Sequence, residues 1–189
     1  GKPHDHLGGR MLMTSELFLE NVRIPAHYQL GKVGKAKAKS MFHAALVLTQ
    51  KNCQALGVLR AMYDETLRYS KERVVCGKPI IEHDTIKLML AEMRGKLEAI
   101  RGMVWKCAWK LENHPEKLKE TMEEAYLGKA LSCEWTLDFM RNCDEIHGGY
   151  GTNKEILIEK LIRDSFTFLH GMLNRSLAYL NGAPKLSKR

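Results

Sequence analysis

Several groups of residues in this sequence could do chemistry by type and spacing. Gly148-Gly149-Tyr150-Gly151 is a glycine loop of the kind that lets a backbone approach a phosphate. It follows a helical pattern, not a strand, and lacks G-x-G-x-x-G spacing, so by pattern alone it reads as a helix-ending turn. Arg163-Asp164 lies inside a helical pattern and by itself reads as a solvated ion pair of small worth. Lys32, Lys35, Lys37 and Lys39 gather where a long helical run begins. A helix N-terminus attracts anions and does not favour cations, so these lysines are a mild hint of an anionic ligand beside the simpler reading of a solvated surface. His43, His147 and His170 are isolated, with no H-x-x-x-H or E-x-x-H pair at metal-ligand spacing. The five cysteines, Cys53, Cys76, Cys107, Cys133 and Cys143, contain no C-x-x-C, which argues against a zinc finger. Cys53, Cys107 and Cys133 fall inside apolar helical patterns and are expected as small buried hydrophobes. Free thiols of that kind point to a reducing compartment: the cytoplasm, or the mitochondrial matrix in a eukaryote.

The elements that must position these residues are mostly helices. The chain has 189 residues, 44% of them hydrophobic, with only 5 Pro and 15 Gly. That suffices for one packed domain and excludes disordered and collagen-like chains. The longest apolar run, Ala44 to Leu48, is far too short to cross a membrane. A first helix is expected over 35–72, with Met41, Leu48, Ala55, Met62 and Tyr69 at heptad spacing and Gly57 as a possible close helix contact. A second starts near Asp84, a good N-cap, and carries the seam Ile86, Leu90, Met93, Leu97, Ile100, Val104, Cys107 and Leu111. A third spans 116–146 after Asn113-His114-Pro115, with Leu118, Met122, Ala125, Ala130, Cys133, Leu137, Met140 and Cys143 on its apolar side. A fourth covers about 154–181, with Gly171 as a possible divider and a polar tail, Asn181 to Arg189. Three long helices and a fourth with short connections predict an antiparallel four-helix bundle, an all-α fold. Residues 16–24 read as two extended pieces flanking a turn at Glu20-Asn21 and closed by Pro25. Two strands alone are unstable in water. Their partners are expected in a preceding part of a longer protein, an expectation strengthened by Gly1 standing where a start would place Met. The net charge of +8 is compatible with nucleic acid, an anionic surface or a phosphorylated ligand. No aromatics interleave with the lysines, which argues against nucleic acid. Trp105 and Trp109, one turn apart and off the seam, suit a core or a subunit interface equally.

Longer segments together resemble the acyl-CoA dehydrogenase family. Phe18-Leu19-Glu20-Asn21-Val22-Arg23-Ile24-Pro25 with Leu30-Gly31 resembles the family's join between middle and C-terminal domains. Tyr69 to Ile80 (Y-S-K-E-R-V-V-C-G-K-P-I) resembles Y-x-x-x-R-x-x-F-G-x-P-I. Glu145-Ile146-His147-Gly148-Gly149-Tyr150-Gly151, followed by Arg163-Asp164, resembles Q-x-x-G-G-x-G … R-D. The resemblance implies that residues 34–189 are the C-terminal four-helix bundle and residues 1–33 a remnant of the middle β-domain with its linker. It implies an FAD flavoprotein, dimeric or tetrameric, that oxidises acyl-CoA thioesters at the α,β bond. Arg73 would pair with FAD phosphate, and Glu145, Gly148 and Gly149 would lie along its adenosine diphosphate part. There are departures. Cys76 replaces the aromatic before Gly77, and Glu145 stands where Gln is usual. The family's catalytic Glu after R-D falls, without gaps, on Met172; its alternative position on the first bundle helix falls on Val47, beside Leu48. None can serve as a base. His170 is the titratable side chain between Asp164 and Arg175 and becomes the candidate base. Two further readings share this resemblance: a non-catalytic subunit of such an assembly, and a flavin-dependent oxidase or monooxygenase of the same fold.

Overall fold

The structure, a computed structural model, describes residues 1–183, and of residues 36–39 the backbone alone. Helix α1 runs Ala36–Glu72, α2 Asp84–Asn113, α3 Leu118–His147, α4 Leu157–His170 and α5 Arg175–Gly182. The first three match the hydrophobic periodicity closely. Pro115 opens a 3₁₀ turn, Pro115–Lys117, that leads into α3, where its missing N–H costs nothing. The fourth expected helix is divided. Gly171 follows α4, Met172 adopts a positive φ of 73°, and the Asn174 side chain accepts from Leu177 N–H to cap α5.

The core draws on four helices. Leu59 and Met62 of α1 meet Met93, Leu97, Ile100 and Val104 of α2, Phe139, Met140 and Cys143 of α3, and Ile158 of α4. A smaller cluster joins Leu48 to Cys107 and Ala125. Another joins Ile80, Leu90 and Ile146. Helix α5 packs on α3 closely enough that a Cβ on Gly182 would lie 2.8 Å from Leu127 Cγ.

Four expectations are corrected. Residues 16–24 form no strand, because no second strand pairs with them among the described residues. The two-stranded antiparallel sheet is instead β1 (Val74–Val75) with β2 (Lys78–Pro79). Cys76 and Gly77 turn it with φ of 52° and 79°, the left-handed pair of a tight hairpin. Leu137 points outward and Phe139 fills the core. Gly57 is exposed with nothing near its missing Cβ; the close α1–α3 approach is at Gly128, where a Cβ would lie 2.8 Å from Asn52 Nδ2. Cys53 is exposed, and the buried thiols are Cys107, Cys133 and Cys143. Burial pushes Cys107 up to about 11 and Cys143 up to about 12, so both are packing groups. Among the described residues no helix is long and apolar enough to cross a membrane. Lys32 and Lys35 are exposed; the side chains of Lys37 and Lys39, and the tail from Pro184 to Arg189, lie outside the described residues.

Candidate functional site

The last two turns of α1 present Glu65, Arg68, Tyr69 and Glu72, and the next residue Arg73, to one pocket of about 390 Å³, closed by Tyr150 and Ile156. Arg68 spans both acids: it donates to Glu65 at 2.6 Å and 3.1 Å and to Glu72 at 2.7 Å. The hydrogen bonds from Arg68 hold the Glu65 carboxyl below the usual carboxylate range. Arg73 differs. Its backbone is fixed, with N–H donating to the Tyr69 carbonyl at 2.9 Å and carbonyl accepting from Ile80 N–H at 2.8 Å. Its guanidinium is exposed and has no ion pair among the described residues. The hairpin thus pins the backbone of a cation that is free to take an external anion.

Three rings build the pocket's flank. His147 stacks on Tyr69 at 4.4 Å and 21°, and Tyr69 on Tyr150 at 5.8 Å and 18°. His147 is 3% exposed. Its Nδ1–H donates to the Cys143 carbonyl at 2.8 Å, which assigns the tautomer and leaves Nε2 as a buried acceptor with no partner among the described residues. Burial pushes its pKa below the usual imidazole value, so the ring is neutral at pH 7. The turn Gly148–Thr152 folds back under this ring: a Cβ on Gly151 would lie 2.8 Å from His147 Cβ. Gly148 ends α3 with φ of 56°, and Cβ atoms on Gly148 and Gly149 would meet nothing within 4 Å. These two glycines face open space beside Tyr150, where a ligand can approach the backbone.

Arg73 thus lines the same pocket as Tyr150 of the glycine turn, whereas Gly148 and Gly149 are not among the residues lining it. Glu145 is exposed on the last turn of α3 and does not line this pocket. His170 is elsewhere. It is exposed at the end of α4, in a cavity of about 280 Å³ with His6, Leu7, Gly8, Phe166 and Thr167. Side chains of α3 cap that end of α4: Lys129 Nζ donates to the Phe168 carbonyl and Cys133 Sγ to the Leu169 carbonyl at 3.3 Å. A buried ammonium is stabilised by the negative end of a helix. Just beyond, Leu173 packs against the cluster containing Leu48. The two expected base positions, Met172 and Val47, thus each adjoin a residue of the same apolar cluster, and both are apolar. Arg163 and Asp164 do not pair with one another. Arg163 pairs with Glu159 and Asp164 with Lys160, each one turn back along α4.

The ring ladder is not legible in the sequence, since Tyr69 reads as a heptad position and His147 as an isolated histidine. The one available signal was Tyr69 standing four residues before Arg73, one helical turn away.

Residues 50–171 match the family described as acyl-CoA dehydrogenase, C-terminal domain. The chain belongs to the acyl-CoA dehydrogenase family. It is 33% identical over 164 residues to a 3-(aryl)acrylate reductase of Clostridium sporogenes, covering 87% of this chain and 42% of that protein. It is 30% identical over 165 residues to a cyclohexane-1-carbonyl-CoA dehydrogenase of Geobacter metallireducens, with the same two coverages, 87% and 42%. The structure of butyryl-CoA dehydrogenase from Megasphaera elsdenii matches 96% of this chain and 46% of its own, with a TM-score of 0.89 at 28% identity. The chain spans less than half the length of these relatives. Its residues 50–171 correspond to the C-terminal helical domain of these proteins. Members of this family are flavin-dependent oxidoreductases that bind acyl-CoA and form oligomers.

Proposed function

We propose that the Arg73–Tyr150 pocket receives the diphosphate and adenosine end of FAD, within a protein that interconverts an acyl-CoA thioester and its α,β-unsaturated form. The observation that carries this reading is the exposed Arg73 guanidinium, unpaired among the described residues, anchored by its backbone, and lining one pocket with Tyr150 of the glycine turn. The site fits the group chemically. A guanidinium answers the diphosphate, backbone at Gly148-Gly149 admits close approach, and the Tyr69–Tyr150 rings offer flat faces to an adenine. Glu145, outside the pocket, would border the ribose or adenine and keep clear of the phosphates. FAD, when bound, supplies the acceptor or donor of the substrate's hydride. The relatives include one named a dehydrogenase and one named a reductase, so the reading leaves the direction open.

The remaining assignments extend the same proposal. Residues 1–33 belong with a preceding β-domain, and the bundle self-associates into a dimer or tetramer. Because Met172 and Val47 are apolar, His170 is the candidate base. One titration of the full-length protein tests both residues. Arg73→Met is expected to lower flavin retained on desalting about ten-fold or more, with helix content unchanged. His170→Ala is expected to keep its flavin and lose bleaching by acyl-CoA. Full flavin retention without Arg73 overturns the pocket assignment; unchanged bleaching without His170 removes it as base.

A further inference from the structure

Arg163 and Asp164 take no part in the site described above, yet each reaches across to residues more than 150 positions earlier. Arg163 Nη1 donates to the Leu7 carbonyl at 3.1 Å. The Gly9 N–H donates to Asp164 Oδ1 at 2.8 Å. Between these two bonds lies Gly8, buried while its neighbours on either side are not. A Cβ on Gly8 would lie 2.0 Å from the Arg163 carbonyl oxygen and 2.5 Å from the Asp164 nitrogen. The strap is thus pressed backbone to backbone against α4, a fit open to glycine alone. Gly9 has φ of 62°, and its Cβ would lie 2.8 Å from Thr167 Oγ1.

This attachment stands out from its surroundings. Every residue from Arg10 to Leu30 is exposed, so the strap is the place where the segment is gripped before α1. The grip has a consequence for shape. Arg10, Met11 and Leu12 follow directly and form one wall of a cavity of about 490 Å³, whose other walls include Val58 of α1 and Leu161 and Phe168 of α4.

We propose that Arg163 and Asp164 are positioning residues that clasp the Leu7–Gly9 backbone to α4 and thereby hold the Arg10–Leu12 wall of the α1–α4 cavity in place. Both bonds go to backbone groups, so the clasp sets register and reads no side chain. Glu159 and Lys160, one turn back, orient the two side chains: Arg163 Nη2 donates to Glu159 Oε2 at 2.9 Å, and Lys160 Nζ donates to Asp164 Oδ2. The inference stands on geometry and is independent of the nucleotide reading.

Residue-resolved amide exchange on the full chain tests it without any activity. Asp164→Ala is expected to speed exchange at Gly9 about ten-fold or more, the loss of one hydrogen bond to a charged acceptor. Exchange at Leu12, whose N–H donates to the Gly9 carbonyl at 2.8 Å, should rise with it, and core amides of α1 and α3 should stay protected. Asp164→Asn keeps an Oδ1 acceptor and should restore protection at Gly9. Gly8→Ala leaves the sequence of α4 unchanged, drives the strap off its backbone, and should produce the same footprint as Asp164→Ala. Unchanged protection at Gly9 in Asp164→Ala, no rescue by Asn, or a parallel loss of protection through the bundle core would each overturn the proposal.

Discussion

His147 is satisfied at one ring nitrogen and unsatisfied at the other, and that imbalance has a measurable sign. Burial lowers its pKa; the Cys143 carbonyl and Glu65 oppose the shift but do not cancel it. An unfolded chain would protonate this ring near the ordinary imidazole value of about 6.5, whereas the folded chain resists. Over that interval the unfolded state binds more protons, so stability rises with pH. The contribution is intact above about pH 6.5 and is lost progressively as pH falls below it, until the folded ring also protonates. Chemical denaturation between pH 7 and 5 should therefore show stability falling faster in the wild type than in His147→Phe, which keeps a ring against Tyr69 and cannot titrate. Equal slopes would show that the ring is not held neutral by burial.

The α1–α3 crossing includes one close approach that only glycine admits. Asn52 Nδ2 donates to the Ala125 carbonyl at 3.0 Å, and Gly128 leaves room for that amide. Adding a methyl group there forces either the amide from its acceptor or the helices apart. Gly128→Ala is expected to cost about 1–3 kcal/mol in thermal or urea unfolding, despite alanine's better helix propensity. A neutral or stabilising result would mean that the crossing is looser than the geometry says. The helices themselves were readable because α1, α2 and α3 run for many turns with one apolar seam, and period carries long elements. The β1–β2 pair was not, since two residues per strand show no period and only the Cys76-Gly77 turn betrays it. Residues 16–24 have strand-like composition but no partner strand among the described residues, and pairing decides a strand more than propensity does. Arg73 and Gly148-Gly149 were legible as motifs because their spacing is local. The stack of Tyr69, His147 and Tyr150 was not, because it joins positions about 80 residues apart.

At the scale of the molecule, what remains uncovered matters as much as the core. Trp105 and Trp109 stand on the outer face of α2, 65% and 55% exposed. Each has a polar neighbour: the Arg101 guanidinium lies 6.0 Å from the Trp105 ring, and His114 meets Trp109 edge-on at 4.8 Å. Two large indoles left in water are costly relative to an interface that buries them, and members of this family form oligomers. Residues 11–30 offer a competing surface, since Met11, Met13, Leu17, Phe18 and Leu30 are also exposed. The two sources separate by mutation. Sedimentation of the chain should give a mass above its 21.6 kDa, and Trp105→Ser with Trp109→Ser should return the population toward monomer while leaving residues 11–30 intact. If the double variant associates as before, the extended segment is the adhesive surface and the α2 face is not an interface. Helix content should be equal in both proteins, because neither indole contributes to the core.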